Sequence, residues 1–217
     1  MVKLSEIKSK TSIPIKNLRL VKALSLCGKG MFDVNGKQNY QESDLKEFSI
    51  CDDDETKITR IACAEDDLNK AFDIHNPKSR VVVVLPFDHN LITGSKYVVG
   101  GVADCGLLSE KEFVFVEFKT NAYTPSLESI KNEYLHAMEQ LWHTFEIIRG
   151  NCKTENNIDI EFFVDVEFYI VNDKMFEQRV DQMLPVKVSA QQQSYQILFQ
   201  SEHKGAILFF AYEKEFI

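Results

Sequence analysis

Two apolar runs of strand length, residues 96–108 and 113–120, are separated only by the polar stretch Ser109-Glu110-Lys111-Glu112. Runs of this kind joined by turn-tolerant residues fold as a β-hairpin. A turn centred on Glu110-Lys111 sets Asp104 opposite Glu117 and Val102 opposite Lys119. Strand side chains alternate between faces, so Glu117 and Lys119 share one face, and it is the face of Asp104. Opposed residues hold their Cβ atoms about 4.5–5.5 Å apart. Two carboxylates at that separation repel unless positive charge lies between them, and a divalent cation with oxygen ligands supplies it.

An acid-x-Lys triplet is not by itself diagnostic. The chain has five, starting at Glu6, Asp44, Glu55, Glu117 and Glu202; the first three sit in polar, loop-like or helical surroundings, and Glu202 lacks an Asp on an adjoining hairpin arm. Only Glu117 lies within a dense β-pattern, Phe113-Val-Phe-Val-Glu-Phe-Lys119. Charges in such a strand are costly to bury without partners.

The segment resembles the PD-(D/E)xK, or restriction-endonuclease-like, nuclease superfamily: an Asp on one strand, Glu/Asp-x-Lys on the next, then a helix. The matching residues are Asp104, Glu117 and Lys119, with the helix expected at 126–149. The resemblance covers about 64–149, less than half of the chain, and departs at Ala103, where a proline often precedes the Asp. It implies metal-dependent phosphodiester hydrolysis of nucleic acid, with DNA favoured over RNA. Asp104, Glu117 and the Phe118 carbonyl would hold Mg²⁺ or Mn²⁺, and Lys119 would assist the attacking water. It further implies an acid on a preceding helix, for which Glu65 is the candidate and Asp66 and Asp67 the alternatives. A Gln or Lys from the following helix, Gln140 or Lys131, would orient water or touch phosphate. Acids in a first helical turn also suit the helix dipole without any metal.

The rest of the pattern gives a fold expectation. Leu68, Ala71 and Phe72 at helical spacing predict a short helix over 64–74. The β-branched run 80–85 predicts a buried central strand, with a loop from Pro86 to Gly94. Ile130, Tyr134, Ala137, Met138, Leu141, Phe145 and Ile148 form the apolar stripe of a helix that Pro125 and Ser126 start and Gly150 ends. Strands are expected at 158–171, 195–200 and 206–212, with a polar loop at 189–194. The order helix-strand-strand-strand-helix-strand corresponds to an α/β (α+β) restriction-endonuclease-like core, a central mixed sheet flanked by helices. A single domain over 1–217 is expected, with an N-terminal elaboration (1–63), a motif-bearing core (64–149) and C-terminal strands completing the sheet (150–217). The 44% hydrophobic content suffices for a sizeable core, and sixteen phenylalanines make it Phe-rich.

Charge and cysteine usage restrict the classes. A net charge of −8 counts against strong non-specific nucleic-acid binding. Yet residues 1–37 carry eight Lys/Arg against two acids, so Lys3, Lys8, Lys10, Lys16, Arg19, Lys22 and Lys29 could contact phosphate or pack on the acidic stretch after them. Asn35-Gly36 signals a hairpin turn. Residues 52–55 are expected as a solvated acidic loop. The five cysteines are odd in number and scattered, which predicts reduced thiols, with Cys105 in the core. His136 and His143 are two turns apart and form no compact metal pair. Nothing approaches a membrane span or a secretion signal, so a cytoplasmic protein with no membrane contact is expected. A protein partner or homodimer is compatible with the acidic surface. Two other readings use the same residues: a nuclease-like fold serving as a protein- or nucleic-acid-binding module, and an unrelated α+β protein whose hairpin mimics the motif.

Overall fold

The computed structural model describes residues 38–53, 55–93, 99–120, 126–157, 159–162, 164–175 and 183–217. The basic segment 1–37, with its Asn35-Gly36 turn, lies outside them.

The hairpin organises the molecule. Strand β6 (Cys105–Leu108) pairs antiparallel with β7 (Glu112–Lys119), Cys105 opposite Val116 and Leu108 opposite Phe113. The turn closes where Ser109 N–H meets the Glu112 carbonyl at 2.9 Å. This is the register expected from a turn at Glu110-Lys111. Residues 99–104 of the expected first arm lie outside the ladder, and residues 96–98 fall outside the described residues.

Strands β1 (Gln41–Ser43) and β5 (Val82–Pro86) extend the sheet antiparallel beyond β6; β8 (Asp165–Asn172) and β9 (Ile207–Phe210) extend it parallel beyond β7. The six-stranded order is β1-β5-β6-β7-β8-β9. A four-stranded sheet, β10-β4-β2-β3, comprises β2 (Glu47–Asp52), β3 (Thr59–Ile61), β4 (Phe72–His75) and β10 (Glu213–Glu215). The long helices are α1 (Leu127–Asn156) and α2 (Met183–Glu202). The class is α+β with mixed sheets.

Both faces of the large sheet are buried at its centre, which is why β5 and residues 113–116 of β7 are apolar without a break. Val83, Leu85, Phe113, Phe115 and Phe168 pack under Leu141, Phe145 and Phe199 of the two helices. The other face, carrying Val82, Val84, Leu107, Val114 and Val116, packs on Phe48, Ile50, Phe72 and Ile74 of the small sheet. A central mixed sheet flanked by helices was expected; among the described residues the two long helices pack on one face and a second sheet on the other.

Several elements differ from expectation, each for a local reason. Residues 64–74 form no helix: a turn leads to one 3₁₀ turn at Leu68–Lys70, capped by Asp67, and then β4. Phe72 and Ile74 are buried at period two, and a short window mistook them for helical spacing. The expected strand at 195–200 and loop at 189–194 both lie within α2, where Val188, Tyr195 and Phe199 are buried at helical spacing. Helix α1 runs past Gly150 to an Asn157 cap with φ 53°. A Cβ at Gly150 would meet nothing within 4 Å, so this glycine is merely exposed, while Ile148 and Cys152 continue the buried stripe. The expected strand at 158–171 begins only at Asp165, after a 3₁₀ turn at Ile160–Phe162. Residues 52–55 are not uniformly solvated, because Asp52 ends β2. The loop after β5 includes an irregular turn at Phe87–Leu91, with His89 at φ 55°.

Candidate functional site

The pair outward of Cys105–Val116 in the hairpin is Asp104 with Glu117, and the two acids are laced together by crossed hydrogen bonds. The Asp104 N–H donates to Glu117 Oε2 at 3.1 Å. The Phe118 N–H donates to Asp104 Oδ2 at 2.6 Å. Lys119 Nζ donates to Glu117 Oε1 at 2.6 Å and to Gln140 Oε1 at 3.3 Å. The structure therefore brings Asp104, Glu117, Lys119 and Gln140 into one cluster. Glu117 is 2% exposed.

Helix α1 fixes the segment before β6. Gln140 Nε2 donates to the Val102 carbonyl at 3.1 Å, and the Ala103 N–H donates to Thr144 Oγ1 at 2.7 Å. Gln140 and Thr144 are four apart and so lie on one side of the helix. Gly101, at φ 86°, permits the close crossing, since a Cβ there would fall 2.7 Å from Gln140 Cγ. From the opposite side the Asp104 carbonyl accepts the N–H of Phe87 at 2.9 Å.

Burial dominates the electrostatics. Desolvation raises Asp104 well above the usual carboxylate range, and the charges of Glu117 and Asp52 add to the effect. Glu117 is pushed up to about 7 by burial, against the opposing influence of Lys119. Burial pulls Lys119 down, but the charge and hydrogen bond of Glu117 outweigh it, leaving Lys119 above its ordinary value and cationic. Asp52 is also raised by burial, although the Thr59 hydroxyl bonds its Oδ1 at 2.6 Å. Lys119 acts on all three acids, with Lys57 also acting on Asp52, and the cluster favours an extra proton or an extra cation.

The donor chemistry fits a hard cation: two facing carboxylates together with waters is a common way to hold Mg²⁺. The Phe118 N–H already points to Asp104, and the carbonyl of a strand residue points to the same side as its N–H, so the Phe118 oxygen lies on that side too. Among the described residues no group of three or more His, Cys, Asp or Glu side chains is spaced to hold a metal ion.

The remaining candidates lie elsewhere. Glu65 is exposed on the turn after β3, engaged with Cys63, and the acids acting most strongly on Asp104 are Glu117 and Asp52. Asp66 is tied to Arg60 at 2.7 Å, and Asp67 caps the 3₁₀ turn. Lys131 sits toward α2, its carbonyl accepting the Tyr195 hydroxyl at 3.4 Å. His136 is exposed beside Glu139. Cys105 is buried in the core between the sheets, and Cys51, Cys63 and Cys105 are free thiols. Sequence reasoning missed Asp52 and Thr144. Asp52 hides in an acidic run that reads as loop, whereas Thr144 was signalled only by its place four residues after Gln140.

Among the described residues no helix is long and apolar enough to cross a membrane. Comparison with family models, curated proteins and solved structures yields no match to this chain.

Proposed function

We propose that this protein is a metal-dependent nuclease of the PD-(D/E)xK type, hydrolysing phosphodiester bonds of nucleic acid at the Asp104–Glu117–Lys119 cluster. The observation that carries the reading is the buried pairing of Asp104 with Glu117 beside a lysine that stays cationic. Buried acids held above their ordinary pKa by desolvation, beside a specific charge partner, are the arrangement in which functional acids are found. The element order supports the same reading: an antiparallel β5-β6-β7 meander, helix α1, and β8 returning parallel to β7.

Asp104 and Glu117, with the Phe118 carbonyl, would hold Mg²⁺ or Mn²⁺. Such an ion lowers the pKa of a bound water and stabilises charge on the phosphoryl oxygens. Lys119, placed by Glu117 and Gln140, directs its N–H groups at the developing negative charge. It acts as an electrostatic group rather than a base, because neighbouring acids keep it protonated. Gln140 holds both Lys119 and the Val102 carbonyl, so it fixes the lysine relative to Asp104.

A second reading, the same fold used as a protein- or nucleic-acid-binding module, draws on the internal satisfaction of the cluster. Main-chain N–H groups and Lys119 already occupy three of the four carboxylate oxygens. Cleavage of single- and double-stranded DNA and RNA in Mg²⁺ or Mn²⁺ separates the two. The nuclease reading expects activity that falls at least about a hundredfold in Asp104→Ala and Lys119→Ala, with circular dichroism unchanged. Wild type inert on every substrate would leave the binding module.

A further inference from the structure

The irregular turn after β5 is tied to the main chain of the candidate site. The Asp104 carbonyl accepts the N–H of Phe87 at 2.9 Å and that of Asp88 at 3.3 Å. Phe87, Asn90 and Leu91 of the turn are buried, and Asn90 Nδ2 donates to the Asn39 carbonyl at 2.8 Å. With both flanks anchored, only Asp88 and His89 reach solvent, their side chains 33% and 61% exposed. The Asp88 charge acts on Asp52, itself among the acids acting on Asp104. His89 Nε2 lies 3.3 Å from Asp88 Oδ2, and the His89 N–H donates to Asp88 Oδ1 at 2.9 Å. The imidazole therefore stands over the Asp88 carboxylate on the solvent side of the acids. It reaches this place at a backbone cost. The His89 φ of 55° and ψ of −1° are left-handed, a conformation that glycine adopts freely and that strains a residue with a Cβ. Residues held in such conformations by well-anchored neighbours cluster at functional sites.

We propose that His89 is a substrate-contacting residue of this site, binding a phosphate of the nucleic acid next to the one cleaved, with Asp88 orienting its ring. The proposal rests on the nuclease reading. Lys119 is committed to Glu117 and Gln140, so the phosphates beside the scissile one need other donors on a chain of net charge −8. An imidazolium donates through both ring nitrogens. Nε2 then holds Asp88 while Nδ1, on the far side of the ring, meets a phosphate oxygen. A contact to a phosphate that does not react is equally strong in the ground and transition states, so it serves binding rather than the chemical step.

The test is His89→Gly, because glycine keeps the left-handed turn and removes only the ring. Ser79→Gly is the control: Ser79 is also left-handed, at φ 48°, but precedes β5 at the end away from the site. Binding is read from the anisotropy of short fluorescein-labelled DNA and RNA, single-stranded and duplex, with Ca²⁺ in place of Mg²⁺. Cleavage in Mg²⁺ gives KM and kcat, and thermal melting reports stability. His89→Gly should bind at least about tenfold more weakly and raise KM with kcat unchanged, while its melting temperature holds or rises. Ser79→Gly should bind as wild type does. A histidine that serves only the fold gives the reverse pattern, so unchanged binding or a lowered melting temperature in His89→Gly overturns the proposal. A fall in kcat at unchanged KM also overturns the phosphate contact. In all three cases a wild type that cleaves leaves the nuclease reading standing. Wild type that neither binds nor cleaves any probe overturns both.

Discussion

Glu117 meets three demands at once: a β-strand interior, a hydrogen bond to the Asp104 main chain, and the charge of Lys119. Its folded-state pKa, pushed up to about 7, exceeds the ordinary carboxyl value of 4.5. Between those values the folded protein holds a proton that the unfolded chain has released. Its contribution to stability is therefore complete below pH 4.5 and is lost as pH rises through about 7. Asp104 and Asp52 are raised in the same direction and steepen the trend. Thermal unfolding in chelator should show melting temperature falling across this window, with a shallower slope in Glu117→Gln; an identical slope in that variant would refute the assignment. Thr144 gives a second test at this scale. Thr144→Val leaves the buried Ala103 N–H without its acceptor and should cost about 1–3 kcal/mol in urea unfolding. Asp104, Glu117 and Lys119 were legible in sequence because a hairpin fixes its own register within a few residues. Asp52 was not, since its contact with the site spans two sheets and nothing in residues 52–55 distinguishes a buried acid from solvated ones.

Among the elements, the hairpin and α1 were readable because each repeats one period over a long stretch. All seven residues of the α1 stripe, Ile130 to Ile148, are buried. Strand β4 and helix α2 were misread in short windows, where periods of two and 3.6 residues are hard to separate. Phe72 and Ile74 alternate over only four residues of strand. In α2 the buried Val188, Tyr195 and Phe199 are diluted by glutamines and serines that look loop-like. Strand β6 carries a constraint invisible in sequence. A Cβ on Gly106 would lie 2.5 Å from the Phe87 ring and 2.7 Å from the Phe113 ring. Gly106→Ala should therefore destabilise the protein by about 1–3 kcal/mol through overpacking. Gly150→Ala, on an open helix surface, should stabilise it by up to about 1 kcal/mol. Paired urea titrations measure both; the account requires that they have opposite signs.

Over the whole molecule, the large sheet lies between two helices and the small sheet, and the site sits where the small sheet's Asp52 approaches the hairpin end. Aromatic rings hold the helical side together: Phe115 contacts Phe87, Phe113, Phe145 and Phe168 at centroid separations of 4.5 to 5.8 Å. Phe115→Ala should cost about 3–5 kcal/mol. The Phe-rich core was legible from composition; the second sheet was not, because its strands are three to six residues long. The central claim is that this architecture buries Asp104 and Glu117 in order to hold a divalent cation. Calorimetric titration of Mn²⁺ into wild type and Asp104→Ala, both verified as folded, tests it most directly. The account predicts binding by wild type that strengthens as pH rises through about 7, as protons leave Glu117, and no binding by Asp104→Ala. Folded wild type that takes up no Mn²⁺, with or without a short oligonucleotide, would contradict it.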